Sequence, residues 1–201
     1  MAEEHVLKKL PFAYNALNGI SEQTVKFHHD THHAGYVNKL DEIEKKLEAI
    51  ERGQANANYS EYGELKRRET FNASGVILHD IYWEILGGNG EIDEGLSITK
   101  KIKQDFGSVE KWKEDLMACA KASTGWAILC WDASDGKLKN FLCDSHNIGA
   151  VWGAVPLIAL DVFEHAYYHD YGPNRAAYFW AFFKNLNWKA VDERYKKYVL
   201  K

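Results

Sequence analysis

The chain has 201 residues, 46% hydrophobic and 27% charged, which is long enough to bury a core in one large domain or two small ones and excludes disorder. A formal net charge of −4 leaves no basic face of the kind a nucleic-acid binder needs, and the one cationic run, Lys66-Arg67-Arg68, reads as a solvated helix face. The longest apolar stretch, Val151 to Leu160, is interrupted by Pro156 and is too short to span a bilayer, so neither nucleic acid nor membrane is expected as a partner.

Met1-Ala2-Glu3-Glu4-His5 is acidic and lacks the apolar region of a secretion signal. Three unpatterned cysteines (Cys119, Cys130 and Cys143) with no CxxC argue against a disulfide framework or a zinc knuckle, and point to a reducing, cytoplasmic setting. Leu10 to Tyr14 reads as an extended arm and Asn18-Gly19 as a turn. Ser21 is placed to cap a long helix that ends near Gly53. In that helix Val25, His28, His32, Tyr36, Leu40, Ile43, Leu47 and Ile50 recur at steps of three and four, so the period predicts one buried stripe carrying His28 and His32, flanked by His29 and His33. A second helix is predicted from about Glu61 to Leu86, stopped by Gly87-Gly88-Asn89-Gly90, with His79 on one face together with Asn72, Gly75, Trp83 and Leu86.

The second half changes character. Ile98 to Phe106 and Val109 to Ala122 are amphipathic helices separated by Gly107-Ser108. Trp126 to Trp131 and Leu138 to Cys143 read as a hairpin about Asp135-Gly136, Val155 to Leu160 as a third strand, and Asn174 to Leu200 as helical. The expected fold class is α+β: an N-terminal α-helical hairpin domain over residues 1–90, then a C-terminal domain over residues 91–201 with a three-stranded antiparallel sheet surrounded by helices.

Four of the nine histidines fall in His28-His29-Asp30-Thr31-His32-His33. Taken alone, the cluster fits surface histidines, or core histidines satisfied by carbonyls, as well as it fits metal ligands. Asp161, at the end of an apolar run, with His165 four residues later, fits a hydrogen-bonded pair as well as it fits a site. Together, one carboxylate and several imidazoles suit iron, manganese or zinc. No HExxH, paired Glu-x-x-His or nucleophile elbow is present, so the metalloprotease, di-iron and serine hydrolase readings lack their motifs.

Leu10-Pro11-Phe12-Ala13-Tyr14-Asn15-Ala16-Leu17, Gln23 to Val37, Gly125-Trp126-Ala127, Asp161 to Tyr168 and Asn185-Leu186-Asn187-Trp188 together resemble the iron/manganese superoxide dismutases, in matching order from about residue 10 to 190. Phe163 stands where that family usually has tryptophan, and Ala176 follows Arg175 where proline is common. The resemblance implies dismutation of superoxide at one redox ion held by His28, His79, Asp161 and His165. Tyr36 and His32 resemble the gateway pair, and Arg175 the arginine near the funnel mouth. Trp83, Trp126 and Phe163 would form a dry aromatic shell. The resemblance also implies a homodimer, with a dimer of dimers as a further option, in which Glu164, a buried carboxylate in need of a partner, and Tyr168 reach His165 and His32 of the other subunit.

Many iron members carry a glutamine four residues before the second-helix ligand, where this chain has Gly75. Manganese members carry one in the segment before the third strand, where this chain has His146. That pattern resembles an iron or cambialistic subgroup, so one iron per subunit is expected, with manganese tolerated. A mononuclear oxygenase or hydrolase using the same ligands would need a roomier pocket than the surrounding aromatics leave. A non-catalytic relative would not be expected to keep all four ligands.

Overall fold

A computed structural model describes residues 4–200; Met1 to Glu3, part of the acidic start, and Lys201 lie outside the described residues. Ser21 caps as its spacing predicts, its hydroxyl accepting the Thr24 amide at 3.1 Å. Helix α1 (Glu22–Lys26) continues into a π-helical segment (Phe27–His33) and then into α2 (Ala34–Ala49), so the helix stops short of Gly53 and is not regular throughout. The Ala34 amide reaches back five residues to the His29 carbonyl. This wider turn changes the phase of the helix. His28 and His33, five apart, both face inward, followed by Val37, Leu40, Ile43 and Leu47. The stripe expected from a 3.6-residue period therefore fails at its centre: His29 and His33 are buried at 5% and 0% exposure, while His32 and Tyr36 are only half-buried.

Helix α3 (Glu61–Glu84) is capped by Ser60, whose hydroxyl accepts the Gly63 amide at 3.2 Å, and it packs against α2 as a hairpin. Lys66, Arg67 and Arg68 lie on its exposed face, where Arg67 pairs with Glu64 and Lys66 with Glu69. Beyond α3, Gly87 adopts a φ of 81° with the Phe12 ring against it, a place that a side chain could not occupy.

Helices α4 (Ser97–Phe106) and α5 (Val109–Ala122) lead into strands β1 (Trp126–Asp132), β2 (Lys137–Cys143) and β3 (Ala154–Asp161), which form an antiparallel sheet in the order β2-β1-β3. The hairpin loop closes with Gly136 at a φ of 68° and its amide on the Asp132 carbonyl. Trp126 lies opposite both Cys143 and Asp161, which puts the end of β3 beside the start of β1. Opposite Leu129 and Cys130 the register slips, leaving Leu157 as a bulge next to Pro156; proline fits here because β3 is an edge strand.

A 3-10 turn (Glu164–Ala166), α6 (Tyr168–Tyr171), α7 (Arg175–Lys184) and α8 (Trp188–Tyr198) complete the chain. The predicted terminal helix is thus divided at Asn185-Leu186-Asn187. There the Asn187 side chain caps α8, and the Asn185 and Leu186 carbonyls accept the Gly88 and Gly90 amides, tying the end of the hairpin to the second half. The fold is α+β, and no helix among the described residues is long and apolar enough to cross a membrane.

Candidate metal centre

Four side chains meet where the hairpin touches the end of the sheet. His28 comes from the π segment, His79 from α3, Asp161 from the last residue of β3 and His165 from the 3-10 turn. One potential ligand atom from each lies within 4.8 Å of the others. Asp161 uses Oδ1 to accept the Phe163 amide at 2.9 Å. Its Oδ2 faces three imidazole nitrogens: Nε2 of His28 and of His165 at 3.1 Å each, and Nε2 of His79 at 3.5 Å. His28, His79 and Asp161 are at most 1% exposed.

The His79 tautomer follows from its neighbours. Nδ1 lies 2.7 Å from the Gly75 carbonyl, one turn back, and must be the N–H that donates to it. Nε2 then carries a lone pair, is buried, and has no hydrogen-bond partner. A lone pair facing a carboxylate oxygen in a dry interior is unfavourable unless a cation lies between them. Three imidazole nitrogens and one carboxylate oxygen suit a borderline divalent or trivalent ion, so the residues fit the iron or manganese that the sequence leads one to expect.

Burial pushes the His28 imidazole down to about 4, outweighing the pull of Asp161, and holds His79 well below its usual range. For Asp161, burial acts to raise the carboxyl, but the combined attraction of His165 and His28 prevails and holds it well below the ordinary carboxylate range. His28 and His79 are therefore poised as neutral imidazoles beside one anion, the protonation state that metal ligation requires.

Gly75 permits the surrounding layer. A Cβ there would lie 3.1 Å from Tyr36 Cγ and 3.3 Å from His146 Cδ2, so both rings close on α3 only because no side chain intervenes. Trp126 donates its indole N–H to His146 Nδ1 at 3.0 Å, which assigns the His146 proton to Nε2, a buried atom without a partner. The Tyr36 and His146 ring centres are 4.5 Å apart. His32 stacks on His165 at 4.4 Å, Phe163 stacks on its ring at 5.4 Å, and Trp83 meets His28 edge-on at 4.8 Å.

Arg175 donates through Nη2 to the Ala120 and Ser123 carbonyls and lines a depression that also contains Glu164 and His165. Glu164, expected as a buried carboxylate, is exposed within its own chain, as is Tyr168 at 53%. Sequence reasoning missed Tyr82, which is 5.0 Å from the His28 ring and hydrogen-bonded to Tyr178, and Phe71, which is 4.6 Å from His146. Tyr82 is three residues after His79 and Phe71 four before Gly75, so helical spacing was the signal available for both.

Residues 4–87 match the family model described as iron/manganese superoxide dismutases, alpha-hairpin domain, and residues 93–194 match the C-terminal domain model of the same enzymes. A manganese superoxide dismutase of Haloferax volcanii is 43% identical over 197 residues, covering 98% of this chain and 97% of its own. An iron superoxide dismutase of Aquifex pyrophilus is 46% identical over 186 residues, covering 90% of this chain and 86% of its own.

The buried imidazoles make a pH dependence. His28, His33 and His146 are each pushed down to about 4 from an ordinary 6.5, with burial the leading cause. Because the folded values lie below the unfolded ones, the unfolded chain takes up protons first, and stability falls as pH drops from 6.5 towards 4. Metal-free protein should lose about 1.4 kcal/mol per pH unit for each such histidine in that window. Urea midpoints that stayed level between about pH 7 and about pH 5 would contradict this.

Proposed function

We infer how this chain works from the premise that it belongs to the iron/manganese superoxide dismutase family. It is a metal-dependent superoxide dismutase, an oxidoreductase that converts superoxide to dioxygen and hydrogen peroxide. His28, His79, Asp161 and His165 are its metal ligands. The observation that carries this assignment is the buried His79 lone pair aimed at Asp161 Oδ2, an arrangement that needs a cation. The hairpin domain spans residues 1–90 and the second domain residues 91–201, so each domain supplies two ligands.

An iron or manganese ion held by His28, His79, Asp161 and His165 would supply the electron exchange between two superoxides. The protein supplies the protons and the approach. Burial raises the Tyr36 hydroxyl to about 12, so it stays protonated at neutral pH and serves as a donor. Burial lowers the half-exposed His32, which stays neutral at neutral pH and, stacked on the His165 ring, relays protons from solvent into the site. Arg175, pinned by two carbonyls, holds a positive charge beside His165 that draws a small anion inward on an otherwise acidic protein.

Asp161→Ala should lose both metal and activity, whereas Tyr36→Phe should keep the metal and lower turnover at high superoxide. Full metal occupancy and wild-type rate in Asp161→Ala would refute the ligand set, and loss of metal from Tyr36→Phe would make that residue structural.

Iron is the physiological metal, with manganese as a tolerated substitute. The support is His146 seated over Gly75: the donor at the metal is an imidazole Nε2–H, shorter in reach and differently polarised than an amide. Apo-protein reloaded with each metal decides it, and activity with manganese alone would overturn the assignment.

The working unit is a homodimer, with pairing of dimers into tetramers as a further step. Glu164 takes part in no ion pair within its own chain among the described residues, and Phe27 at 46% and Tyr168 at 53% exposure lie around the same depression as His32 and His165. A twofold partner would cover this surface, with Glu164 reaching the other subunit's metal-bound imidazole and Tyr168 its gateway imidazole. Glu164→Ala should loosen the dimer and lower activity together; a stable, fully active monomer in sedimentation would rule this out. The free, buried thiols of Cys130 and Cys143 support a cytoplasmic location, which cell fractionation checks.

A further inference from the structure

A cleft of about 490 Å³ opens between the N-terminal arm, α3 and α8, and it shares no residue with the depression around His32 and His165. Its apolar side is built from Pro11, Ile77, Ile81 and Trp83. Ile77 remains 54% exposed there. Trp83 is 4% exposed, and its indole N–H is buried without a hydrogen-bond partner. A buried donor left unpaired is costly, so this wall lacks an acceptor.

The polar side is cationic, on a protein whose formal net charge is −4. Lys8, Lys9, Arg194 and Lys197 line the cleft with two carboxylates, Asp80 and Glu84. Asp80 is taken by Lys8 at 2.6 Å and Glu84 by Arg194 Nη1 at 2.9 Å. Lys9 and Lys197 pair with no carboxylate among the described residues, so two positive charges remain uncompensated. Arg194 is 9% exposed and held in place: Nε donates to the Pro156 carbonyl at 2.8 Å, and the guanidinium lies over the Tyr198 ring at 4.8 Å. Those hydrogen bonds leave Nη2 as its unused donor. A fixed guanidinium with a donor to spare, two spare ammoniums and an apolar wall together recognise an anionic head on an apolar body.

We propose that this cleft binds an amphiphilic organic carboxylate, its head on Arg194, Lys9 and Lys197 and its apolar body along Pro11, Ile77 and Ile81. A carboxylate oxygen carried into the cleft is also the acceptor that the Trp83 wall lacks. Trp83 meets His28 edge-on at 4.8 Å, so the same indole borders both the cleft and the redox centre. None of the groups assigned to the anion is a ligand of the redox metal.

Octanoate is the probe, titrated calorimetrically into the metal-loaded protein. It should bind one per chain with a Kd below about 1 mM, and more weakly as salt rises. Lys9→Glu and Lys197→Glu, both at exposed side chains, should each weaken binding about threefold and together about tenfold or more, with metal content and dismutase rate unchanged. The double variant separates the cleft from anion binding at the redox centre. Acetate, which has the head without the body, and octylamine, which has the body with the opposite charge, should not saturate in the same range. Octanoate that does not saturate with a Kd below about 1 mM, binding that survives in the double variant, or acetate or octylamine binding as well as octanoate would each overturn the proposal.

Discussion

The hydrogen bond from His79 Nδ1 to the Gly75 carbonyl sets the terms for everything packed around it. It fixes where the His79 proton resides and so leaves Nε2 as a bare acceptor in the buried interior. An unsatisfied buried acceptor costs about 1–3 kcal/mol, and a facing carboxylate oxygen increases that cost. A cation removes the conflict, so metal binding and folding stability are linked at this point. The same glycine leaves the space into which Tyr36 and His146 close, and Trp126 then orients His146. The His79 tautomer and the positions of the Tyr36 and His146 rings thus depend on two residues one helical turn apart.

The π-helical turn is the second determinant. A regular helix would place His33 more than a third of a turn from the buried face, whereas the extra residue per turn brings His28 and His33 inward together. His33 then stacks on His79 at 5.2 Å, with the rings nearly parallel, and supports it from beneath. His29, brought inward by the same winding, gives Nε2 to the Lys8 carbonyl and so fastens the arm over the hairpin.

Much of this is legible in the sequence, for reasons that differ from one element to the next. Val109 to Ala122 can be read with its observed bounds because Ser108 caps it and apolar residues recur at helical spacing. The four side chains picked out by family pattern do meet, although spacing alone leaves each of them open to a plainer reading. The π turn is not legible, since one residue of extra winding leaves no mark in composition and is stabilised by contacts far away in the chain. Tyr178, 96 residues beyond Tyr82, can be joined to it only by tertiary packing. Relatives named for manganese and for iron match almost equally well, so overall similarity does not distinguish the metals.

The sheet has two free edges, and each is closed by a different device. On β3, Pro156 has no amide to offer and its carbonyl accepts Arg194 Nε at 2.8 Å; on β2, the Leu138 amide is taken by the Asp105 carboxylate at 2.7 Å. Neither edge presents a continuous ladder of backbone groups to another chain. Growth of the sheet by strand addition is therefore blocked on both sides, which protects a crowded, newly made population of chains from cross-β aggregation and leaves helical surfaces and loops as the places where copies of the molecule can meet.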